Sequence, residues 1–218
     1  MISHQHRCIF VHIPKCAGSS IEEVLWPEPR HLHDLWMGFI TPHHNKYQTG
    51  GMQHLLASQV RQEVGSEVFS QYFKFAFVRN PFDKAVSQYH YMQQREDLRD
   101  YIGMRPDDSF RTYLGLIENK LHVQWEEQWK FIMDESGDVI VDFVGRFEHF
   151  GRDIKEVFDR LGIRAAAVPH LNRTERSHYA DYYDDKAIEM VSNFYRRDLE
   201  LFGYSFREIR NSKLEIRR

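Results

Sequence analysis

The first apolar block of the chain, Ile9, Phe10, Val11 and Ile13, is rich in β-formers and predicts a strand over residues 7–13. Pro14 closes it and a short Lys15-Cys16-Ala17-Gly18 turn follows. Ile21, Val24 and Leu25 then recur at helical spacing, which predicts a helix over 19–26 that Pro27-Glu28-Pro29 terminates. Residues 27–51 show no period and are rich in His, Pro, Gly and Asn; a loop of that length within a domain is usually functional. Leu55, Leu56, Val60, Val64 and Val68 predict a helix over 55–69. Phe73 to Val78 form the dense apolar run of a buried parallel strand, ending at Arg79-Asn80-Pro81 with a helix over 82–95 beyond it. Further helices are predicted over 109–119, 122–132 and 149–161, a strand over 138–145, a loop over 168–178, and an amphipathic helix over 184–201. Strands alternating with helices predict an α/β fold with a central, mainly parallel sheet flanked by helices. With no internal repeat or linker, residues 1–218 are expected to form a single domain.

Composition changes this picture little. Hydrophobic residues make up 42% and charged residues 28%, ordinary for a globular protein. A net charge of −3 provides no global field for nucleic acid, so a polyanionic partner needs a local basic patch. Cys8 and Cys16, the two cysteines, would stand roughly 25 Å apart on a straight strand, too far to pair. They read as reduced thiols of a cytoplasmic protein. No transmembrane run of ~18 apolar residues occurs, and the first residues lack a secretory apolar core. The alternative to a soluble cytoplasmic protein is a chain separated from its anchor.

The candidate chemistry sits where the first strand passes into the first helix. The leading N–H groups of a helix lack partners and its dipole favours negative charge, so strand, small-residue turn and helix start form an anion cradle. Lys15 adds a charge, and Ser19 and Ser20 add hydroxyls. A Walker A loop is excluded, because its lysine follows the glycine, whereas Lys15 precedes Gly18. Ser19 with Glu22, or Ser20 with Glu23, also fits a capping box. A second anchor repeats the logic: Arg79 ends a buried strand, at the edge where open α/β sheets bind ligands, and Ser87 lies about two turns into the next helix. The plain alternative is an arginine in a salt bridge and a serine bonded to its own helix.

Together, His12-Ile13-Pro14-Lys15-Cys16-Ala17-Gly18-Ser19-Ser20 and Arg79-Asn80-Pro81 with Ser87 resemble the paired motifs of the sulfotransferases, in particular carbohydrate sulfotransferases and their soluble bacterial relatives. Residues 144–148 and 169–174 extend the likeness more loosely. The resemblance implies a P-loop-NTPase-like fold and a donor, 3′-phosphoadenosine 5′-phosphosulfate (PAPS), used without a metal. It implies that Lys15, Cys16, Ala17, Gly18, Ser19 and Ser20 hold the 5′-phosphosulfate, that Arg79 and Ser87 hold the 3′-phosphate, and that Arg173 adds a phosphate contact from a late loop. The implied acceptor is a hydroxyl, on a carbohydrate by analogy.

Sulfuryl transfer then needs charge neutralised on the leaving oxygen, assigned to Lys15, and a base for the acceptor hydroxyl. Among 13 histidines, His54 is the first candidate: the resemblance implies a base between the two motifs, and His54 lies there, immediately before a helix. His31, His33, His43 and His44 come next, with Glu22 and Glu23 behind them. A zinc site from His31, His33, His43 and His44 lacks a supporting cysteine and reads as a solvated loop. Trp125 and Trp129, four apart, predict one helix face used for core packing or for stacking on a sugar. Two other function classes fit the cradle: a non-catalytic nucleotide- or sulfated-glycan-binding protein, and an atypical magnesium-dependent kinase.

Overall fold

Continuous apolar runs make strands that can be buried on both faces, and two such runs build the centre of this molecule. The structure, a computed structural model, describes residues 1–27, 31–35, 52–164 and 176–206. In chain order the described strands are β1 (Ile2–Ser3), β2 (Cys8–Val11), β3 (Phe73–Val78) and β4 (Phe143–Arg146). The described α-helices are α1 (Gly18–Leu25), α2 (Ala57–Val64), α3 (Ser66–Gln71), α4 (Pro81–Gln93), α5 (Glu96–Ile102), α6 (Phe110–Ile117), α7 (Trp129–Ile132), α8 (Phe150–Leu161), α9 (Asp185–Phe194) and α10 (Arg196–Phe202).

The described residues divide into two units, Met1–Arg79 with His122–Arg173 and Asn80–Leu121 with Thr174–Arg218. The first contains the sheet, in the order β1-β2-β3-β4 among the described residues. β2, β3 and β4 run parallel, with Val11 opposite Ala76 and Val78 opposite Arg146, while β1 pairs antiparallel with β2. The α/β expectation therefore holds, and β1 is an addition: two residues in a polar-looking start are too short to show a period. Phe10, Phe75 and Phe77 are buried; the Phe10 ring stacks on Phe75 across β2 and β3, and Phe77 meets Phe75 edge-on along β3. Gly145 on β4 has no room for a side chain, since a Cβ there would stand 2.5 Å from the Phe77 ring.

Several predicted helices are interrupted, each for a local reason. The helix over 55–69 becomes α2 and α3 because Gly65 turns to φ +82°. The helix over 184–201 becomes α9 and α10 at Tyr195, whose φ is −110°. The helix over 122–132 becomes a 3-10 turn at Val123–Trp125 and the single turn α7, because Glu126 is extended between them. Trp125 and Trp129 therefore do not share a helix face; Trp125 is buried and stacked on His122. The strand expected over 138–145 starts only at Phe143, since Val139 bridges back to Met133 and Asp142 accepts the Lys74 N–H.

The second unit packs α4, α6 and α9 together. Asn80 caps α4 by accepting the Phe82 N–H at 2.9 Å, and Pro81 occupies its first turn. No helix among the described residues is long and apolar enough to cross a membrane.

Candidate active site

The cradle of the first unit is set by backbone strain. Lys15 (φ +67°) and Ala17 (φ +68°) both adopt the left-handed conformation, flanking Cys16. That region costs a non-glycine residue roughly 1–2 kcal/mol and persists where surrounding contacts enforce it, often at functional sites. Alternating right- and left-handed residues turn successive N–H groups toward one side, the geometry of an anion-binding nest. Ala17 is the N-cap of α1, and no side-chain capping bond forms there. The helix starts at Gly18, so Ser19 and Ser20 lie inside its first turn and neither capping box is realised.

His12 packs under this loop. Its ring stacks on Phe10 at 5.4 Å, its Nδ1 stands 2.8 Å from Glu22 Oε1, and the His54 ring lies 4.6 Å away. Gly18 closes the other side, for a Cβ there would meet His12 Nε2 at 1.8 Å. His54 is also buried, and its Nδ1 lies 3.0 Å from the His12 carbonyl. A carbonyl only accepts, so Nδ1 carries the proton and Nε2 keeps its lone pair.

Burial first, then the adjacent His12, pushes the His54 pKa down from 6.5 to about 3. An unfolded chain takes up this proton near pH 6.5, whereas the folded chain refuses it until near pH 3. Stability from His54 is thus fully present above 6.5 and is lost as the pH falls toward 3. Urea unfolding should show wild type losing ~2–3 kcal/mol more than His54→Asn between pH 7 and 4.5. Equal losses in the two proteins count against a neutral buried His54.

Arg79 directly follows β3, at the same end of the parallel strands as the cradle. It is buried, its Nη1 donates to the Lys15 carbonyl at 3.0 Å, and its guanidinium stacks 3.9 Å from the Phe147 ring centroid. Cys16 is buried, and its Sγ donates toward Gln128 Oε1 at 3.4 Å. Neither cysteine is in a disulfide and both are buried, and burial pushes the Cys8 thiol up to about 12, which keeps it protonated.

In the second unit Ser87 is half-buried on α4, on the face that also carries Asp83 and His90. Arg176 pairs with Asp83, and His90 Nε2 meets the Tyr182 hydroxyl at 2.8 Å. Of the other base candidates, His31 and His33 are exposed and stacked on each other, and Glu22 is buried with its Oε1 beside His12 Nδ1. His43, His44 and Arg173 lie outside the described residues. Among the described residues no group of three or more His, Cys, Asp or Glu is placed to hold a metal ion.

Compared with known families, residues 1–205 match the one described as "Sulfotransferase family". The chain belongs to that family. It is a sulfotransferase, and the match spans both the cradle and Arg79. The sulfotransferase is also 27% identical over 123 residues to an uncharacterized protein of Archaeoglobus fulgidus, covering 56% of this chain and 95% of that one. No solved structure gives a significant match.

Proposed function

We propose that this sulfotransferase moves the sulfuryl group of PAPS onto a hydroxyl of a carbohydrate acceptor in a cytoplasmic setting. The carrying observation is the meeting of the Lys15–Ser20 nest and Arg79 at one end of the parallel strands β2 and β3, joined by the bond from Arg79 to the Lys15 carbonyl. We read this as a P-loop-NTPase-like arrangement in which N–H groups and Lys15 replace the lysine-after-glycine pattern of kinases. In this reading Lys15, Cys16, Ala17, Gly18, Ser19 and Ser20 hold the 5′-phosphosulfate. Arg79, with Ser87 eight residues further along the chain and Arg173, holds the 3′-phosphate.

The acceptor oxygen attacks sulfur in line as the bond from sulfur to the bridging phosphate oxygen breaks, and Lys15 neutralises the charge left on that oxygen. His54 Nε2 takes the hydroxyl proton. Its resting basicity is weak, but a polyanionic donor bound at the neighbouring loop stabilises imidazolium and raises it. The acceptor class rests on the family likeness, and two buried cysteines outside any disulfide suit a reducing compartment.

Calorimetric titration of the full chain tests the donor. 3′-Phosphoadenosine 5′-phosphate should bind roughly tenfold or more tighter than ATP, with no change on adding magnesium. Radiolabelled sulfuryl transfer from PAPS to a panel of oligosaccharides then reads the acceptor. ATP binding as tight as the 3′-phosphorylated nucleotide would sink the proposal.

A further inference from the structure

We infer that Gln128, a residue without any place in the cradle motifs, is the positioning residue that locks the strained loop to the arginine of the second motif. The inference rests on the donor site proposed above and names what holds that site in shape.

Gln128 is fully buried and stands as the N-cap of α7. Its side-chain amide brackets the main chain of Arg79: the Arg79 N–H donates to Gln128 Oε1 at 2.8 Å, and Gln128 Nε2 donates to the Arg79 carbonyl at 2.8 Å. A side chain thereby supplies both main-chain bonds that a further strand residue would have made, just where β3 ends. Cys16 Sγ lies 3.4 Å from the same Oε1, its single thiol hydrogen shared between that oxygen and the Pro14 carbonyl at 3.5 Å. One amide group therefore touches both halves of the anion site.

The geometry explains why such a tie is needed. Lys15 and Ala17 are both left-handed, so Cys16 sits at the centre of a strained nest that relaxes unless its neighbours forbid it. The contacts that hold this stretch from the Arg79 side include the guanidinium on the Lys15 carbonyl and the Gln128 amide on Cys16. The second also fixes the main chain from which the guanidinium projects. Removing the amide leaves a buried N–H and a buried carbonyl of Arg79 without these partners and loosens both anchors together. Leucine approximates the shape of glutamine without its polar atoms. Glutamate keeps the acceptor for the Arg79 N–H and Cys16 but loses the donor to the Arg79 carbonyl.

The test measures 3′-phosphoadenosine 5′-phosphate binding and steady-state kinetics for the full chain, at a temperature where circular dichroism shows each variant folded. Gln128→Leu should weaken nucleotide binding by roughly tenfold or more and raise KM for PAPS while leaving KM for the acceptor unchanged. Gln128→Glu should fall between wild type and Gln128→Leu. A double-mutant cycle of Gln128→Leu with Cys16→Ala should show coupling in nucleotide affinity, which a purely structural role does not produce. Gln128→Leu or Gln128→Glu binding nucleotide like wild type, with only the melting temperature lowered, overturns the inference. If Gln128→Leu does not fold, Gln128→Glu and Cys16→Ala carry the same reading. Failure of wild type to bind the nucleotide would instead defeat the donor assignment, so the two outcomes are separate.

Discussion

Gly18→Ala should reduce donor-nucleotide affinity by about a hundredfold or more and lower stability by ~2–4 kcal/mol. A methyl group at position 18 would stand 1.8 Å from His12 Nε2, 2.2 Å from Cδ2 and 2.3 Å from Cε1, inside van der Waals contact with three ring atoms at once. The ring has nowhere to retreat. Phe10 stacks on it, Glu22 Oε1 lies 2.8 Å from its Nδ1, and the His54 ring is 4.6 Å away. The loop must move instead, and it already carries two left-handed residues beside the helix start. A cradle works because its N–H groups converge on one point, so displacement costs binding as well as packing. Calorimetric titration and thermal unfolding check both parts. His12→Ala should relieve much of the clash, so the double variant should be more stable than the two single losses added together predict. Unchanged nucleotide binding in Gly18→Ala would mean that the cradle does not hold the donor.

That glycine shows how legible the chain was. Turn rules assign positive φ to glycine, yet here Lys15 and Ala17 take it while Gly18 is helical and is needed for space. The position of the turn could be read because β2 and β3 are continuous apolar runs, and a buried parallel strand must be one. The reason for the glycine could not, since it lies in a ring six residues earlier. Glu22 is a similar case: the sequence offers it as a capping-box partner of Ser19 and a base candidate behind the histidines, and its burial against His12 is a tertiary fact. Gln128 left no local trace at all, because its partner is 49 residues away and its amide binds main chain, which has no sequence signature. The strand-to-helix turn was readable; the contacts that hold it taut were not.

Lys15→Ala should lower kcat for sulfuryl transfer by about 10²–10³-fold, the scale lost when one preorganised donor to a developing oxyanion is removed. Alanine, not glycine, is the informative replacement. Position 15 is left-handed, so alanine keeps the backbone penalty of lysine, whereas glycine would also relax the loop. The bond from Arg79 Nη1 reaches the Lys15 carbonyl and survives side-chain truncation. Binding of 3′-phosphoadenosine 5′-phosphate should therefore weaken far less than turnover, within roughly tenfold, because that nucleotide lacks the sulfuryl group whose departure Lys15 assists. A charge that acts only as the bond from sulfur to oxygen breaks produces such a split. Equal losses in kcat and in nucleotide affinity would make Lys15 a binding residue alone and return the leaving-oxygen role to the main-chain N–H groups of the nest.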